Sequence, residues 1–161
     1  MKRILCLIIF LCSSSFSQGF PYDKYSAIDL LDLITTEDSY AKESNIPLDN
    51  RYSIMPAVRY SSIVEYAGEK REISDVHKIH LADVIKSIPS IPKAQIDTYT
   101  SEILIKVGGK EVWALIQEKV LPYLEREIKV GDKVKIYYFY FGAHQRDHII
   151  AINEFEVQPG A

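Results

Sequence analysis

The C-terminal third of the chain shows the clearest alternation of apolar and polar residues. Residues 101–107 alternate, which predicts a strand. The glycine pair at 108–109 follows, and two adjacent glycines are typical of a two-residue hairpin turn. Residues 110–117 then predict the return strand. The positions on the buried side of the first strand are Ile103, Ile105 and Val107.

The remainder of this region is also rich in predicted β-structure. Residues 119–129 predict a short helix, in which Pro122 is acceptable because it falls in the first turn. Residues 133–141 predict a strong strand, and residues 148–157 predict the last one. The stretch between them, 142–147, is polar and predicts a loop.

The first half of the chain combines helical spacing with one long alternating stretch. Residues 26–44 carry apolar side chains at helical spacing, with Ser26 as the candidate N-cap. Residues 52–66 alternate and predict a long strand, and the charged stretch 68–71 predicts a turn after it. Residues 75–88 predict a second helix, which the prolines that follow would end.

The order of the C-terminal elements resembles an oligonucleotide/oligosaccharide-binding (OB) barrel. The segment VGDKVKIYYFYFG resembles the usual entry into the fourth strand of that barrel. The resemblance implies that 52–66 is the first strand and that 67–97 is an enlarged first loop with an inserted helix. The expected fold class is α+β and β-rich: a small OB-like antiparallel barrel at 52–161, after an N-terminal helical segment and linker at 18–51. Another small antiparallel sheet with packed helices is the alternative.

The N-terminus has the pattern of a secretory signal peptide at 1–17. Two basic residues precede an apolar run at 4–12, which is too short to span a bilayer. We expect cleavage after Ser17, so that Gln18 begins the mature chain, and a location in the bacterial periplasm or outside the cell. A retained anchor and a lipoprotein attached through Cys12 are the alternatives.

Charge and cysteine content narrow the possible partners. The chain has 19 basic and 22 acidic residues, a formal net charge of -3, so we expect no nucleic-acid partner. Both cysteines, Cys6 and Cys12, lie in the signal peptide, so the mature chain is expected to have no disulfide. No second apolar stretch is long enough to span a bilayer, and no stable membrane insertion is expected after cleavage.

The sequence does not indicate an oligomeric state.

The strand at 133–141 is apolar on both faces in its second half. One face continues the core pattern, whereas the other changes from lysine to aromatic residues. One interpretation is that the helix at 26–44 packs over this second face. The other is an exposed aromatic platform that binds sugar rings or peptide side chains. The aromatic residues concerned are Tyr137, Phe139 and Phe141.

Four histidines are the candidates for metal chemistry. His77 and His80 are three positions apart in the inserted helix and share one face. His144 and His148 flank the last hairpin. In an OB barrel these two regions border the ligand face, so the imidazoles and a nearby carboxylate could bind zinc. Solvated polar loops are the alternative.

The last hairpin also holds the best candidate for a charged ligand contact. Arg146 is at the predicted loop tip, where its guanidinium could bind a carboxylate through two hydrogen bonds. Gln145 and His144 could add hydrogen bonds beside it. Tyr137 and Phe139 would supply the aromatic contacts of the platform.

The common enzyme motifs are absent from the sequence: no G-x-S-x-G, no H-E-x-x-H and no phosphate-binding loop. The favoured function is therefore an exported, non-catalytic binding module for a peptide, glycan or envelope protein, with no cofactor expected. A small metal-dependent hydrolase that uses the histidine loops is one alternative. A structural or inhibitor protein of the cell envelope is the other.

Overall fold

A computed structural model describes residues 19–47, 50–52, 58–88, 91–144 and 147–158. The predicted signal peptide and the hairpin residues Gln145 and Arg146 lie outside the described residues. The described elements are β1 (Ser26–Ala27), α1 (Leu30–Glu43), β2 (Arg51–Tyr52), β3 (Val58–Glu72), α2 (Asp75–Ser87), α3 (Lys93–Ile96), β4 (Tyr99–Val107), β5 (Lys110–Gln117), α4 (Leu121–Glu127), β6 (Lys133–His144) and β7 (Asp147–Val157).

Five of the strands close a barrel in the order β3-β4-β5-β7-β6, and pairing between β3 and β6 completes the circle. The helix α4 connects the third barrel strand to the fourth. This is the strand order and connectivity of the OB fold, so the predicted α+β OB-like barrel is confirmed. One pairing departs from the antiparallel expectation, because β5 and β7 run parallel and pair over Leu115–Ala151 and Ile116–Ile152.

The first barrel strand is longer than the alternation predicts. The stretch 68–71, predicted as a turn, belongs to β3, which pairs with β4 beyond an irregularity between Tyr66 and Lys70. A bulge of this kind bends a strand without ending it. The upstream half of β3 pairs instead with β6, and β1 adds a short parallel pairing at Tyr60 and Ser61.

Two helices complete the core inside the barrel. Leu30, Leu33 and Ile34 of α1 are buried in the same apolar cluster as the inward side chains of the strands, and α4 contributes Leu121 and Leu124. The helix α1 packs against the β4–β5 hairpin, where Gly108 has a φ of 53°. A Cβ atom at Gly108 would collide with Leu31, so a side chain there would strain both the turn and the helix contact.

The inserted helices form an outer layer on the barrel. Leu81 and Val84 of α2 and Ile96 of α3 are buried against outward side chains of β5, β6 and β7. The expectation that the helix at 26–44 covers the aromatic face is therefore corrected, because α1 faces the inner core and α2 and α3 cover Phe139 and Phe141 instead. Within the described residues, no helix is both long and apolar enough to cross a membrane.

Candidate functional site

The outer face of β4 and β5 is the surface at which an OB barrel usually binds its ligand. Alternation along both strands leaves Leu104 and Trp113 opposite each other on this face. Leu104 is buried, whereas Trp113 is only half-buried. The outer helices cover Leu115 further along β5, so the accessible part of the face is centred on Trp113.

Arg71, near the end of β3, packs directly on this tryptophan. Its guanidinium carbon lies 4.0 Å from the centroid of the Trp113 ring, the geometry of a cation–π contact. Its Nε donates to Glu102 Oε2 at 2.5 Å. The Arg71 side chain remains 37% exposed, so a positive charge and an aromatic ring are presented together.

Glu102 on β4 is completely buried and is stabilised by neighbouring donors. Its Oε1 lies 2.5 Å from His77 Nδ1. Ser74 donates to the same oxygen from its backbone nitrogen at 3.0 Å and from its hydroxyl at 3.2 Å. Burial alone would raise the pKa of Glu102, but His77, Arg71 and Ser74 lower it to about 2. The carboxylate is therefore charged at neutral pH.

His77, in the first turn of α2, lies between two carboxylates. Its Nδ1 faces Glu102, and its Nε2 lies 3.2 Å from Asp147 Oδ2 at the start of β7. Burial opposes the charged form, but Asp147 and Glu102 raise the pKa of His77 to about 9. We name Arg71, Glu102, His77 and Asp147 the ionic cluster, because charge attraction within it ties α2 to the barrel strands.

The structure brings the two histidine-bearing regions together but does not place the four imidazoles around one point. His77 belongs to the ionic cluster, and His80 donates from Nε2 to the backbone oxygen of Phe141 at 3.1 Å. The ring centroids of His80 and His144 are 6.5 Å apart, and His148 lies in a different environment. Across the described parts of the chain, no group of three or more His, Cys, Asp or Glu side chains is arranged to hold a metal ion.

His148 connects the barrel to α1 through a chain of hydrogen bonds. Its Nε2 donates to Asp38 Oδ1 at 3.0 Å, and its Nδ1 lies 2.8 Å from the hydroxyl of Tyr140. Burial lowers the pKa of His148, which favours the neutral imidazole. With the proton on Nε2, Nδ1 accepts a hydrogen bond from Tyr140.

The aromatic platform predicted on β6 is buried. Tyr137 and Phe139 are each only 4% exposed. The N-terminal residues Phe20 and Tyr25 pack on Tyr137 with ring centroids 5.7 and 5.6 Å away, and the outer helices cover Phe139. Both rings are therefore packing residues here, so the interpretation of an exposed platform is corrected. Their predicted ligand contacts stay predictions.

The predicted hairpin contacts are only partly described. Gln145 and Arg146 lie outside the described residues, so their predicted ligand contacts stay predictions. His144 is half-buried at the end of β6, which continues past the predicted loop start at 142. Asp147 begins β7 and holds His77, so the described end of this hairpin adjoins the ionic cluster.

Sequence reasoning missed Arg71, Glu102 and the orientation of Trp113. The alternation of side chains along β5 could have predicted the orientation of Trp113. Its neighbours Val112 and Ala114 face the core, so Trp113 must point outward. No sequence pattern predicts the burial of Glu102, because its partners Arg71, Ser74 and His77 come from other parts of the chain.

Comparison with known proteins supports no family assignment. No protein-family model matches the chain, and no curated protein matches it. Among solved structures, it is similar to the second OB-fold domain of replication protein A from Methanococcus maripaludis. The TM-score is 0.36 and the identity 15%, over 70% of this chain and 98% of that domain.

The exclusion of nucleic acid as a partner is also corrected. The matched domain comes from replication protein A, which binds nucleic acids. The exclusion relied on a formal net charge of -3. Net charge describes the whole chain and does not describe one face of a barrel, so it does not exclude that class of partner.

Proposed function

We propose that this chain is an exported, non-catalytic binding module that holds a peptide, a glycan or an envelope protein on the outer face of β4 and β5. The observation that carries the proposal is the contact between Arg71 and Trp113 at 4.0 Å on a partly accessible part of that face. An aromatic ring with a guanidinium on it offers both stacking and charge to a ligand.

The surroundings of this contact favour binding over catalysis. The nearest buried acid, Glu102, is occupied by Arg71 Nε and Ser74 and lies beside His77. A carboxylate held in this way stabilises the position of Arg71. Arg71 is thus fixed before a ligand arrives, which lowers the entropy cost of binding.

The single tryptophan makes this proposal directly measurable. Trp113 is the one tryptophan of the chain, so its fluorescence reports on this face alone. We expect a saturable change in emission on titration with the partner captured from envelope extract, and with fragments of it. Arg71→Lys should weaken that binding about tenfold, because a lysine keeps the charge but loses the planar stacking.

The matched control is Arg126→Ala, which removes another arginine that packs on an aromatic ring, Tyr123, at 4.8 Å. Equal binding by the wild type, the Arg71 variant and the Arg126 variant would remove this face from the site. A fluorescence response to a single-stranded oligonucleotide, without any response to envelope material, would assign the face to nucleic acid instead.

A further inference from the structure

A polar pocket that is open to solvent lies between α1 and the β4–β5 hairpin, away from the Trp113 face. Its volume is about 200 Å³, and it is lined by Thr35, Asp38, Ser39, Lys42 and Lys110, of which only Asp38 is partly buried. The four α1 residues recur at spacings of three and four, so they share one face of the helix. Two ammonium groups, two hydroxyls and one carboxylate therefore converge on a small volume.

The carboxylate in this pocket is held from inside the barrel. Asp38 Oδ1 accepts from His148 Nε2, and His148 Nδ1 is in contact with the hydroxyl of Tyr140. Tyr140 is completely buried and His148 is 5% exposed. Since neither side chain has room to move, Asp38 is fixed in place at the pocket wall without any ligand present.

Asp38 and Lys110 form an adjacent acceptor and donor at the pocket. Lys110 Nζ lies 3.5 Å from Asp38 Oδ2. A carboxylate accepts hydrogen bonds and an ammonium donates them, so neighbouring hydroxyls of one molecule can donate to Asp38 and accept from Lys110. The hydroxyls of Thr35 and Ser39 both donate and accept, which extends the match to a polyhydroxylated ring.

Lys42 adds a charge that the other groups do not balance. Among the ion pairs of the described residues, Lys110 is paired with Asp38, but Lys42 takes part in none. We propose that this pocket binds an acidic sugar unit, with its ring hydroxyls at Asp38 and Lys110 and its carboxylate at Lys42. The inference goes beyond the proposed function because it concerns a different surface.

Three small probes test the two halves of this match. Glucuronate carries both the hydroxyls and the carboxylate, glucose lacks the carboxylate, and acetate lacks the ring. In calorimetric titrations at constant ionic strength, we expect glucuronate to bind at least tenfold more tightly than either comparator. Lys42→Ala should weaken glucuronate about tenfold, the loss of one charged hydrogen bond, and should leave glucose unchanged.

Two variants provide the controls. Lys78→Ala removes an exposed lysine on α2 and should bind glucuronate like the wild type. Thr35→Val removes a hydroxyl from the pocket wall with little change in volume and should weaken glucuronate and glucose alike. Equal affinity for acetate and glucuronate, equal loss in the Lys42 and Lys78 variants, or no binding of glucuronate to the folded wild type would each overturn the proposal.

Discussion

At the scale of single residues, two buried histidines occupy opposite electrostatic environments. His77 lies between two carboxylates, which raise its pKa to about 9 despite burial. His148 contacts one carboxylate and a phenol, and burial lowers its pKa below the ordinary value. The first histidine is therefore charged in the folded protein at neutral pH and the second is neutral.

The contribution of His77 to stability depends on pH in a defined direction. Its pKa is higher in the folded chain, about 9, than the ordinary histidine value of 6.5. Its stabilisation is therefore complete below pH 6.5 and disappears as the pH rises through about 9. We expect His77→Gln to lower the free energy of unfolding by about 3 kcal/mol near pH 6 and by much less near pH 10. Urea denaturation at both pH values measures the difference. An equal loss of unfolding free energy at both pH values would mean that His77 contributes through packing alone.

His148→Gln is the matched comparison with the opposite sign. Because the folded pKa of His148 is below 6.5, protonation favours the unfolded chain, and the wild type loses stability as the pH falls below that value. The His148→Gln variant should not lose stability in this way at acidic pH. It should still lose stability at alkaline pH, because His77 is unchanged. The same denaturation series, extended to lower pH, tests both statements.

At the scale of elements, the start of α1 illustrates how tertiary structure selects a helix cap. The Asp29 side chain accepts hydrogen bonds from the backbone nitrogens of Leu31 at 2.8 Å and Asp32 at 3.3 Å. Ser26, the cap candidate from sequence, pairs with Tyr60 in a parallel strand instead. The helix therefore begins three residues after the strand pair ends.

Removing the cap should cost measurable stability. Asp29→Ala is expected to lower the free energy of unfolding by about 1 kcal/mol, because two backbone donors lose their acceptor. Ser26→Ala, which changes an exposed strand position, should stay within about 0.5 kcal/mol. Thermal melting of the two variants side by side measures the difference. A larger loss for the serine variant would place the helix start upstream.

The sequence predicts those elements that local patterns define. The strands predicted at 101–107 and 110–117 appear as β4 and β5, and the predicted glycine turn connects them. The extension of β3 through 68–72 could not be predicted, because charged residues around a glycine look like a turn. Pairing with β4 after a bulge keeps this stretch extended, and such pairing is set by tertiary structure rather than by propensity.

The site is less predictable than the fold because its contacts join distant parts of the chain. Glu102 and His77 are buried together although they belong to β4 and α2. Asp38 and His148 are separated by 110 positions. Residue types and spacing indicate that histidines and acids are present, but only the barrel topology determines which of them meet.

At the scale of the whole molecule, export is the prediction that intact mass can test. The sequence before Gln18 has the order of a signal peptide. Expression in a bacterium should therefore yield a mature chain that begins at Gln18, located in the periplasm or the medium. Mass spectrometry of the purified product measures this start directly. A product that retains Met1 would contradict both the predicted export and the prediction that the mature chain has no cysteine.

The position of α1 in the core has a further consequence for the order of folding. This helix is near the start of the chain, yet it shares one buried apolar cluster with Ile150 and Ile152 of β7, and its Asp38 accepts a hydrogen bond from His148. Contacts of such large sequence separation form late, because a long loop must close before they stabilise anything. The contacts of α1 with β3 and with the β4–β5 hairpin can form earlier, but the hydrogen bond from His148 to Asp38 cannot form until β7 has been synthesised. Under the predicted export, α1 would therefore complete its contacts with β7 only after the last strand of the chain had crossed the membrane.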